Sequence, residues 1–272
     1  MSMLKFAANL SLLFTERPLI DRFAAARAAG FDAVEIQFPY TLSPEQIKQE
    51  LDAHELNLVL INIPAGDWEA GERGLACLPG RETEFAAGLD QAIEWACSLK
   101  VGKLNCLAGV MPQDATAEQV ARTLAGNLKL AAERCRQAGI ELMIEAINTR
   151  DIPGFYLHHS EQVLKLISQL ELPAAALQYD VYHMQIMEGN LISTLQQNAD
   201  KIGHIQIADV PGRHEPGTGE INFTNLFKAL ESQGYPGYIS LEYIPQGQTE
   251  AGLGWLATWM TQDERNELEC SS

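Results

Sequence analysis

The chain has 272 residues, of which 46% are hydrophobic, and it carries a formal net charge of −17. This apolar content is enough for a large core and argues against extensive disorder. The negative charge argues against binding to nucleic acids or anionic membranes, because both need clustered positive charge. An anionic small-molecule substrate is still compatible, since a few local arginines and a metal ion can outweigh the overall field.

Cysteine usage and hydropathy predict a cytoplasmic protein. The five cysteines are widely spaced and form neither a C-x-x-C pair nor a Cys/His cluster, so reduced thiols are the simplest interpretation. No apolar stretch reaches the roughly 18 residues that a membrane span needs. The N-terminal MSMLKFAANLSLLF resembles a signal peptide only weakly, because Asn9 and Ser11 interrupt its apolar run. We interpret it as a first strand and its loop.

Segments with strand and helix character alternate along the chain. The predicted strands are, in order, Leu4–Asn9, Ala33–Phe38, Leu56–Asn62, Lys103–Ala108, Glu141–Ala146, Ala175–Val181, His204–Asp209 and Tyr238–Tyr243. The helices that follow them are predicted over Arg17–Ala29, from the Ser43-Pro44 start, and over Glu82–Leu99, Ala117–Ala138, Ser160–Leu170, Asn190–Ala199, Phe223–Gln233 and Glu250–Met260.

This alternation predicts an α/β fold, a single (β/α)8 TIM barrel over residues 1–262. Repeated βα units imply right-handed crossovers and a parallel sheet, and eight units in about 250 residues are typical of the barrel. The alternative is an open doubly wound sheet, which would be expected to carry a G-x-G-x-x-G fingerprint after its first strand. The chain has none there. The polar residues 263–272 are expected to be a disordered tail.

Four oxygen-bearing side chains close the last four predicted strands: Glu145, Asp180, Gln206 and Glu242. In a barrel these strand ends converge at one mouth, where three carboxylates would repel one another unless they bind a cation or share protons. An all-oxygen set suits Mg2+ or Mn2+ better than zinc. Asp209 is the alternative to Gln206 as the metal ligand from the seventh strand. The alternative interpretation is that each acid caps a helix or pairs with a surface arginine.

Several long segments resemble the hydroxypyruvate isomerase family, whose relatives include xylose isomerase, the ketose 3-epimerases and the 2-oxotetronate isomerases. The resemblance covers the chain to about Trp255. The segments that carry it are NIPAGDWEAGERGLACLPGRE, IEAIN, DIPGF, QYDVYHMQIMEGN, KIGHIQIADVPGRHEPGTGEINF and SLEY, within residues 62–243.

The resemblance implies a metal-assisted isomerase without an organic cofactor. The residues that match the family's metal ligands are Glu145, Asp180, Gln206 and Glu242, and the two glutamates are expected to exchange protons with the substrate. Many epimerase relatives have histidine where Gln206 stands. The amide keeps an oxygen donor and removes an imidazole, which shifts the expected metal from zinc toward Mg2+.

Three further residues are predicted to bind substrate. His183, three residues after Asp180, could hydrogen-bond a substrate oxygen or be a structural histidine. Arg213 could hold a carboxylate bidentately. Asn62 ends the third strand and could face the substrate.

The segment 63–80 is long for a βα loop, so a lid or a dimer contact is expected. Its Trp68 could close over the site or pack beneath it. Arg73 and Arg81 are alternatives for the carboxylate, or they could pair with Glu72 and Glu82.

The leading functional prediction is interconversion of hydroxypyruvate and tartronate semialdehyde through an enediolate. A 2-oxotetronate isomerase and a ketose 3-epimerase are the enzymatic alternatives. A metal-dependent DNA-repair endonuclease is opposed by the six histidines and the charge of −17. A binding module without activity is also conceivable. The expected partner is a small 2-oxo acid, with no nucleic acid or membrane, and a homo-oligomer is possible.

Overall fold

Short parallel strands form one sheet in this protein, for which a computed structural model describes residues 4–259. The nine strands of that range are β1 Lys5–Asn9, β2 Ala33–Glu35, β3 Asn57–Leu58, β4 Ile61–Asn62, β5 Lys103–Cys106, β6 Glu141–Glu145, β7 Ala175–Asp180, β8 Ile202–Ile207 and β9 Tyr238–Leu241. Their order in the sheet is β3-β2-β1-β9-β8-β7-β6-β5-β4. Every pair is parallel.

The two ends of this sheet are halves of one predicted strand, Leu56–Asn62, which is interrupted after Leu58. Its first half, β3, pairs with β2, and its second half, β4, pairs with β5. Between them, Leu60 O still accepts a hydrogen bond from Ile36 N at 3.3 Å. The split strand therefore joins the ends of the sheet into a nearly closed ring. The predicted TIM barrel is confirmed.

Helices surround the ring, and most lie where the sequence predicts them. Their bounds are α1 Arg22–Ala28, α2 Pro44–Ala53, α3 Glu82–Leu99, α4 Ala117–Ala138, α5 Ser160–Leu170, α6 Val181–Met187, α7 Leu191–Gln197 and α8 Phe223–Gln233, with 3-10 turns at Leu19–Asp21 and Glu250–Thr258. α3, α4, α5 and α8 match their predicted bounds. The predicted tail at 263–272 lies outside the described residues.

Helix α6 is the element that the sequence did not predict. It starts directly after β7, because Asp180 ends the strand and also caps the helix, with Oδ1 accepting from Tyr182 N at 2.8 Å. No loop residue separates the two elements, and apolar residues occur on both sides of the boundary, in AALQYD before it and in VYHMQIM after it. A pattern of apolar residues alone cannot locate such a junction.

Capping explains why the long helices begin and end where they do. Thr116 and Gln119 form a capping box at the start of α4, and Ser43 and Gln46 form another at the start of α2. α4 ends at Gly139, whose φ of 71° suits a residue without a Cβ. Its apolar face is buried against the barrel at Val120, Leu124, Leu128, Ala131, Ala132 and Cys135.

The barrel interior turns polar toward the carboxyl ends of the strands. Because side chains alternate along a strand, positions two apart share a face. Gln178 and Asp180 on β7 and His204 and Gln206 on β8 are such pairs, and all four are buried. Further buried polar side chains on or next to the strands are Asn9, Glu35, Asn62, Asn105, Glu145, Ser240 and Glu242. This polar layer is where a functional site can be built.

The four cysteines within residues 4–259 are free thiols, as predicted. In the same part of the chain, none of the helices combines the length and the apolar character that a bilayer-spanning segment needs.

We expect Leu128→Ala to lower the free energy of unfolding by about 2–5 kcal/mol, because a buried side chain on α4 would leave a cavity. Lys129→Ala, the adjacent exposed position, should change it by less than about 0.5 kcal/mol. Urea unfolding measures both variants. Equal losses in the two would contradict the described packing of α4.

Candidate active site

Four strand ends meet at the barrel mouth. Glu145 is the last residue of β6, Asp180 is the last of β7, and Gln206 is the last but one of β8. Glu242 follows β9 directly. Asp180 is the register partner of Gln206, and all four side chains are buried. The fold therefore places the predicted residues at the carboxyl ends of four adjacent strands.

Glu145, Asp180 and His183 form the tightest cluster. One ligand atom from each lies within 4.8 Å of the others. His183 Nε2 is 3.4 Å from Asp180 Oδ2 and 3.9 Å from Glu145 Oε1. Across residues 4–259, Asp180 Oδ2 is one of the buried side-chain oxygens that has no hydrogen-bond partner. A buried carboxylate oxygen without a donor is costly unless a cation or a ligand satisfies it.

Glu242 is not part of this cluster and is held by several donors. Arg213 Nη2 donates to Oε2 of Glu242 and is 3.6 Å from Asp180 Oδ2. On Oε1, Glu242 accepts from Gln37 Nε2 at 2.7 Å, Gln206 Nε2 at 2.8 Å and Asn9 Nδ2 at 3.2 Å. The carboxylate is thus fixed in position before any ligand binds.

A fourth carboxylate, that of Glu35 on β2, shares two hydrogen-bond donors with Glu242 and is completely buried. Its Oε2 is 2.6 Å from His204 Nε2, and its Oε1 accepts from Asn9 Nδ2 at 2.8 Å and from Gln206 Nε2 at 2.7 Å. Asn9 and Gln206 therefore bridge Glu35 and Glu242. The Gln206 amide oxygen faces away from both and accepts from Gln178 Nε2 at 2.6 Å.

Burial and mutual repulsion shift the proton affinity of this site. Burial raises the pKa of Glu145 well above its ordinary value, and the charges of Glu242 and Asp180 add to the effect. The pKa of Glu242 is raised to about 8, again chiefly by burial and against the opposing effect of Arg213. Burial lowers the pKa of His183 to about 4, so its imidazole is neutral at pH 7. The site can therefore hold protons at neutral pH.

A hydrogen-bonded group behind His183 was not predicted from the sequence. Asn148 Nδ2 lies 2.8 Å from His183 Nδ1 and donates to Asp151 Oδ2 at 2.9 Å. The Tyr182 hydroxyl donates to the same Asp151 oxygen at 2.7 Å. The ring of Tyr182 lies 5.1 Å from the guanidinium of Arg213. This group links the loop after β6 to the start of α6.

The loop that carries Arg213 is organised by Asp209. The Asp209 carboxylate accepts hydrogen bonds from the backbone amides of Val210, Gly217, Gly219 and Ile221 at 2.9–3.0 Å. A side chain at Gly219 would collide with Val210 O at 2.1 Å. Asp209 is the alternative metal ligand from the seventh strand, and both of its carboxylate oxygens accept hydrogen bonds from its own loop.

The remaining predicted residues lie around the mouth. Asn62 is buried on β4, next to Asn105 on β5, and Asn105 Nδ2 donates to Glu145 Oε2 at 2.8 Å. Trp68 is 40% exposed and contacts the ring of Phe38 at 5.1 Å and the guanidinium of Arg73 at 4.1 Å.

Arg81 pairs with Glu72, as predicted. Its second partner is Glu84, one helical turn into α3, and not Glu82. The predicted pairing with Glu82 is wrong, because residues three apart on a helix share a face. Glu82 instead accepts from the Thr123 hydroxyl at 3.2 Å.

Sequence reasoning missed Glu35 because the second strand was predicted to run to Phe38, with Glu35 in its interior, whereas the strand ends at Glu35. Its strand of three residues lies far from the others in the chain. The missed amides, Asn105, Asn148 and Gln178, carry no comparable signal, because their importance depends on which carboxylate or imidazole lies opposite.

Comparison with known proteins places this site in a family. The model of the xylose isomerase-like TIM barrel matches residues 23–259. The hydroxypyruvate isomerase of Escherichia coli (strain K12) is 51% identical over 254 residues, 93% of this chain and 98% of the relative. The 2-oxo-tetronate isomerase of Cupriavidus necator is 43% identical over 256 residues, which are 94% and 98% of the two chains.

Solved structures agree on the fold. The crystal structure of a family 2 AP endonuclease from Brucella melitensis superimposes with a TM-score of 0.92 at 41% identity, covering 95% of this chain and all of the other. A D-allulose 3-epimerase from Methylomonas sp., 20% identical, has a TM-score of 0.72 over 98% of this chain and 94% of its own, which shows the shared fold alone. The chain therefore belongs to the xylose isomerase-like TIM barrel family.

Proposed function

We propose that this protein is a metal-assisted isomerase that interconverts hydroxypyruvate and tartronate semialdehyde. The observation that carries the proposal is the presence of two buried glutamates, Glu145 and Glu242, together with an Asp180 oxygen that accepts no hydrogen bond within residues 4–259 and has Arg213 Nη2 3.6 Å away. The similarity to curated hydroxypyruvate and 2-oxo-tetronate isomerases supports the reaction class. A cytoplasmic location remains a prediction from the sequence.

The charges of the site favour a divalent cation. In the part of the chain that the structure describes, Glu145, Asp180 and Glu242 are buried, and the guanidinium of Arg213 lies beside Asp180 and Glu242. Mg2+ binds oxygens at about 2.1 Å, so opposite ligands are about 4.2 Å apart. The oxygens of Glu145 and Asp180 in the cluster lie within 4.8 Å of each other, which suits such an ion after a small contraction.

We propose Glu145, Asp180, Gln206 and Glu242 as the metal ligands, with Mg2+ or Mn2+ as the ion. For Gln206 to coordinate, its amide must turn so that the oxygen faces Glu242. Gln178 could then accept the Gln206 amino group, because Gln178 Oε1 has no other partner among the described residues. When bound, the metal would act as a Lewis acid toward the substrate oxygens.

The two glutamates are suited to move the proton. Isomerisation removes a proton from C3 of hydroxypyruvate and returns one to C2, through an enediolate. A carboxylate with a pKa near neutral can act both as base and as acid at pH 7. Glu242, with a pKa of about 8, has this property, and the pKa of Glu145 is raised as well. The buried Tyr243 and Ile147 help to exclude water from this region.

Binding of the substrate is proposed to involve Arg213, His183 and Asn62. Arg213 shares its Nη2 between Glu242 and Asp180 in the structure. A metal ion would neutralise those carboxylates and release the guanidinium for the substrate carboxylate. His183 points between Glu145 and Asp180, where a substrate oxygen would lie.

An endonuclease is the second candidate, because the structure from Brucella melitensis carries that description. The net charge of −17 opposes binding to a phosphate backbone. Among the described residues, the His, Cys, Asp and Glu side chains form one cluster that could hold a metal. Binding to abasic-site DNA at physiological salt would favour this candidate over the isomerase.

With Mn2+ or Mg2+ added, kcat/KM should be highest for hydroxypyruvate, followed by 2-oxo-tetronate, with neutral ketoses far behind because they lack the carboxylate. Steady-state assays on the three substrates give this order. Equal values for the two acids would show that our preference is unfounded. Turnover of neutral ketoses that survives Arg213→Ala would favour a 3-epimerase.

Glu145→Gln and Glu242→Gln should each lower kcat at least about 10²-fold at saturating metal, because an amide cannot transfer the proton. NMR in D2O would separate the two roles. One variant should still exchange the C3 proton of hydroxypyruvate with solvent but not isomerise the substrate. That variant lacks the residue that delivers the proton to C2. Glu118→Gln, at an exposed site on α4, is the control and should stay within twofold. Full activity of both site variants would refute the assignment.

Metal binding should release protons. The pKa of Glu242 is raised from 4.5 to about 8 without metal, so this carboxyl is largely protonated at pH 6.5 and must ionise to coordinate. Affinity for Mn2+ should therefore increase from pH 6 to pH 8.

Because the pKa of Glu242 is higher in the folded than in the unfolded protein, its contribution to the stability of the metal-free protein is present below pH 4.5 and is lost as the pH rises through 8.

Isothermal titration calorimetry in two buffers with different ionisation enthalpies counts the protons released. Glu242→Gln should release fewer at pH 6.5 and should show a flatter dependence of the metal-free Tm on pH. Equal proton release from the natural protein and the variant would contradict the proposed ligand.

A further inference from the structure

We propose that Asn148 is a positioning residue, which fixes the His183 imidazole in the tautomer that carries its proton on Nε2. This assignment rests on hydrogen bonds alone. Its catalytic consequence, a fixed N–H donor aimed at the substrate, rests on the proposed isomerase function.

The orientation of the Asn148 amide is determined by its own backbone neighbours. Asn148 Oδ1 accepts hydrogen bonds from the backbone N–H groups of Arg150, at 3.0 Å, and Asp151, at 2.8 Å. A reversed amide would direct its NH2 group at these two donors and its oxygen at the Asp151 carboxylate. Both contacts would be repulsive. The amide nitrogen therefore faces Asp151 and His183.

Each hydrogen of that NH2 group has its own acceptor. Nδ2 donates to Asp151 Oδ2 at 2.9 Å, and it lies 2.8 Å from His183 Nδ1. Asn148 is completely buried, so water does not compete for these bonds. The amide thus makes all four of its hydrogen bonds, two as acceptor and two as donor.

An amide NH2 can only donate, so His183 Nδ1 must accept. A ring nitrogen that accepts carries a lone pair, and the proton of the neutral imidazole is then on the other nitrogen. That nitrogen, Nε2, faces Asp180 Oδ2 at 3.4 Å and Glu145 Oε1 at 3.9 Å. His183 therefore presents an N–H group to the site.

This tautomer changes what His183 can do. A histidine that ligates a metal usually donates from its other nitrogen to a carboxylate or a carbonyl. Here the other nitrogen accepts, and the nitrogen near the carboxylates has no free lone pair. His183 is thereby excluded as a ligand, although it lies within 4.8 Å of Glu145 and Asp180. Its N–H group is placed instead to stabilise a negative oxygen of the enediolate.

The test compares the natural protein with Asn148→Asp and Asn148→Leu. An aspartate can keep the two backbone N–H bonds on one oxygen. Its other oxygen would face both Asp151 Oδ2 and His183 Nδ1, and an N–H group on His183 Nδ1 would relieve the repulsion between the two carboxylates. The proton would then move to Nδ1 and leave Nε2 free. A leucine removes the donor and leaves neither tautomer favoured. NMR of metal-free protein with 15N-labelled histidines reports which nitrogen carries the proton, and His183→Gln identifies the signals of His183.

We expect the proton on Nε2 in the natural protein, on Nδ1 in Asn148→Asp, and a mixture in Asn148→Leu. In Asn148→Asp, the affinity for Zn2+ relative to Mn2+ should rise at least about tenfold, since an imidazole lone pair becomes available. The double variant with His183→Gln should lose this gain. Turnover by Asn148→Asp with Mn2+ should fall about 10²-fold in kcat, with a smaller change in KM.

A proton on Nδ1 in the natural protein would overturn the proposal, and this measurement does not depend on how well either variant folds. An unchanged tautomer in both folded variants would also overturn it, whatever their activity, because Asn148 would then be only structural. Failure of the isomerase proposal has a different signature. The tautomers would follow the expected pattern while no small oxo acid is turned over with Mn2+ or Mg2+.

Discussion

The crowding of carboxylates inside the barrel mouth is the constraint on which the rest of the site depends. Glu145, Asp180 and Glu242 are at most 5% exposed, and their mutual repulsion must be relieved by a cation or by protons. Arg213 supplies one positive charge. The pKa values of Glu145 and Glu242 are raised, so these carboxyls keep their protons to a higher pH than usual. These properties are the ones that our proposal of a metal ion and of proton transfer by the glutamates requires.

Neutral amides hold this charged group in place. Asn9, Gln37 and Gln206 orient Glu242, while Asn105 orients Glu145 and Asn148 orients His183. An amide donates without adding charge, so it fixes the direction of a carboxylate with less effect on its proton affinity than a lysine or an arginine would have. This explains how the glutamates can be rigid and still have pKa values suited to proton transfer.

The family explains the fold, and the site residues decide the chemistry. Similar barrels carry the names of isomerases, epimerases and an endonuclease, so the fold alone does not determine the reaction. A carboxylate-binding arginine would favour small oxo acids, and the acidic chain would disfavour nucleic acids. In the proposed site, the distinction between a three-carbon and a four-carbon acid would depend on the space beside Arg213 and Asn62, which the sequence motifs do not encode.

The sequence by itself determined the barrel, the bounds of the long helices and the four strand-end residues, because periodicity and capping are local properties of the chain. Only the tertiary structure showed that Asp180 caps helix α6, that Gln206 joins Glu35 to Glu242, and that Asn148 faces His183. These relations join residues that are up to 207 positions apart, such as 35 and 242, or elements with no loop between them. They depend on which side chains the closed ring brings face to face, and no local pattern carries that information.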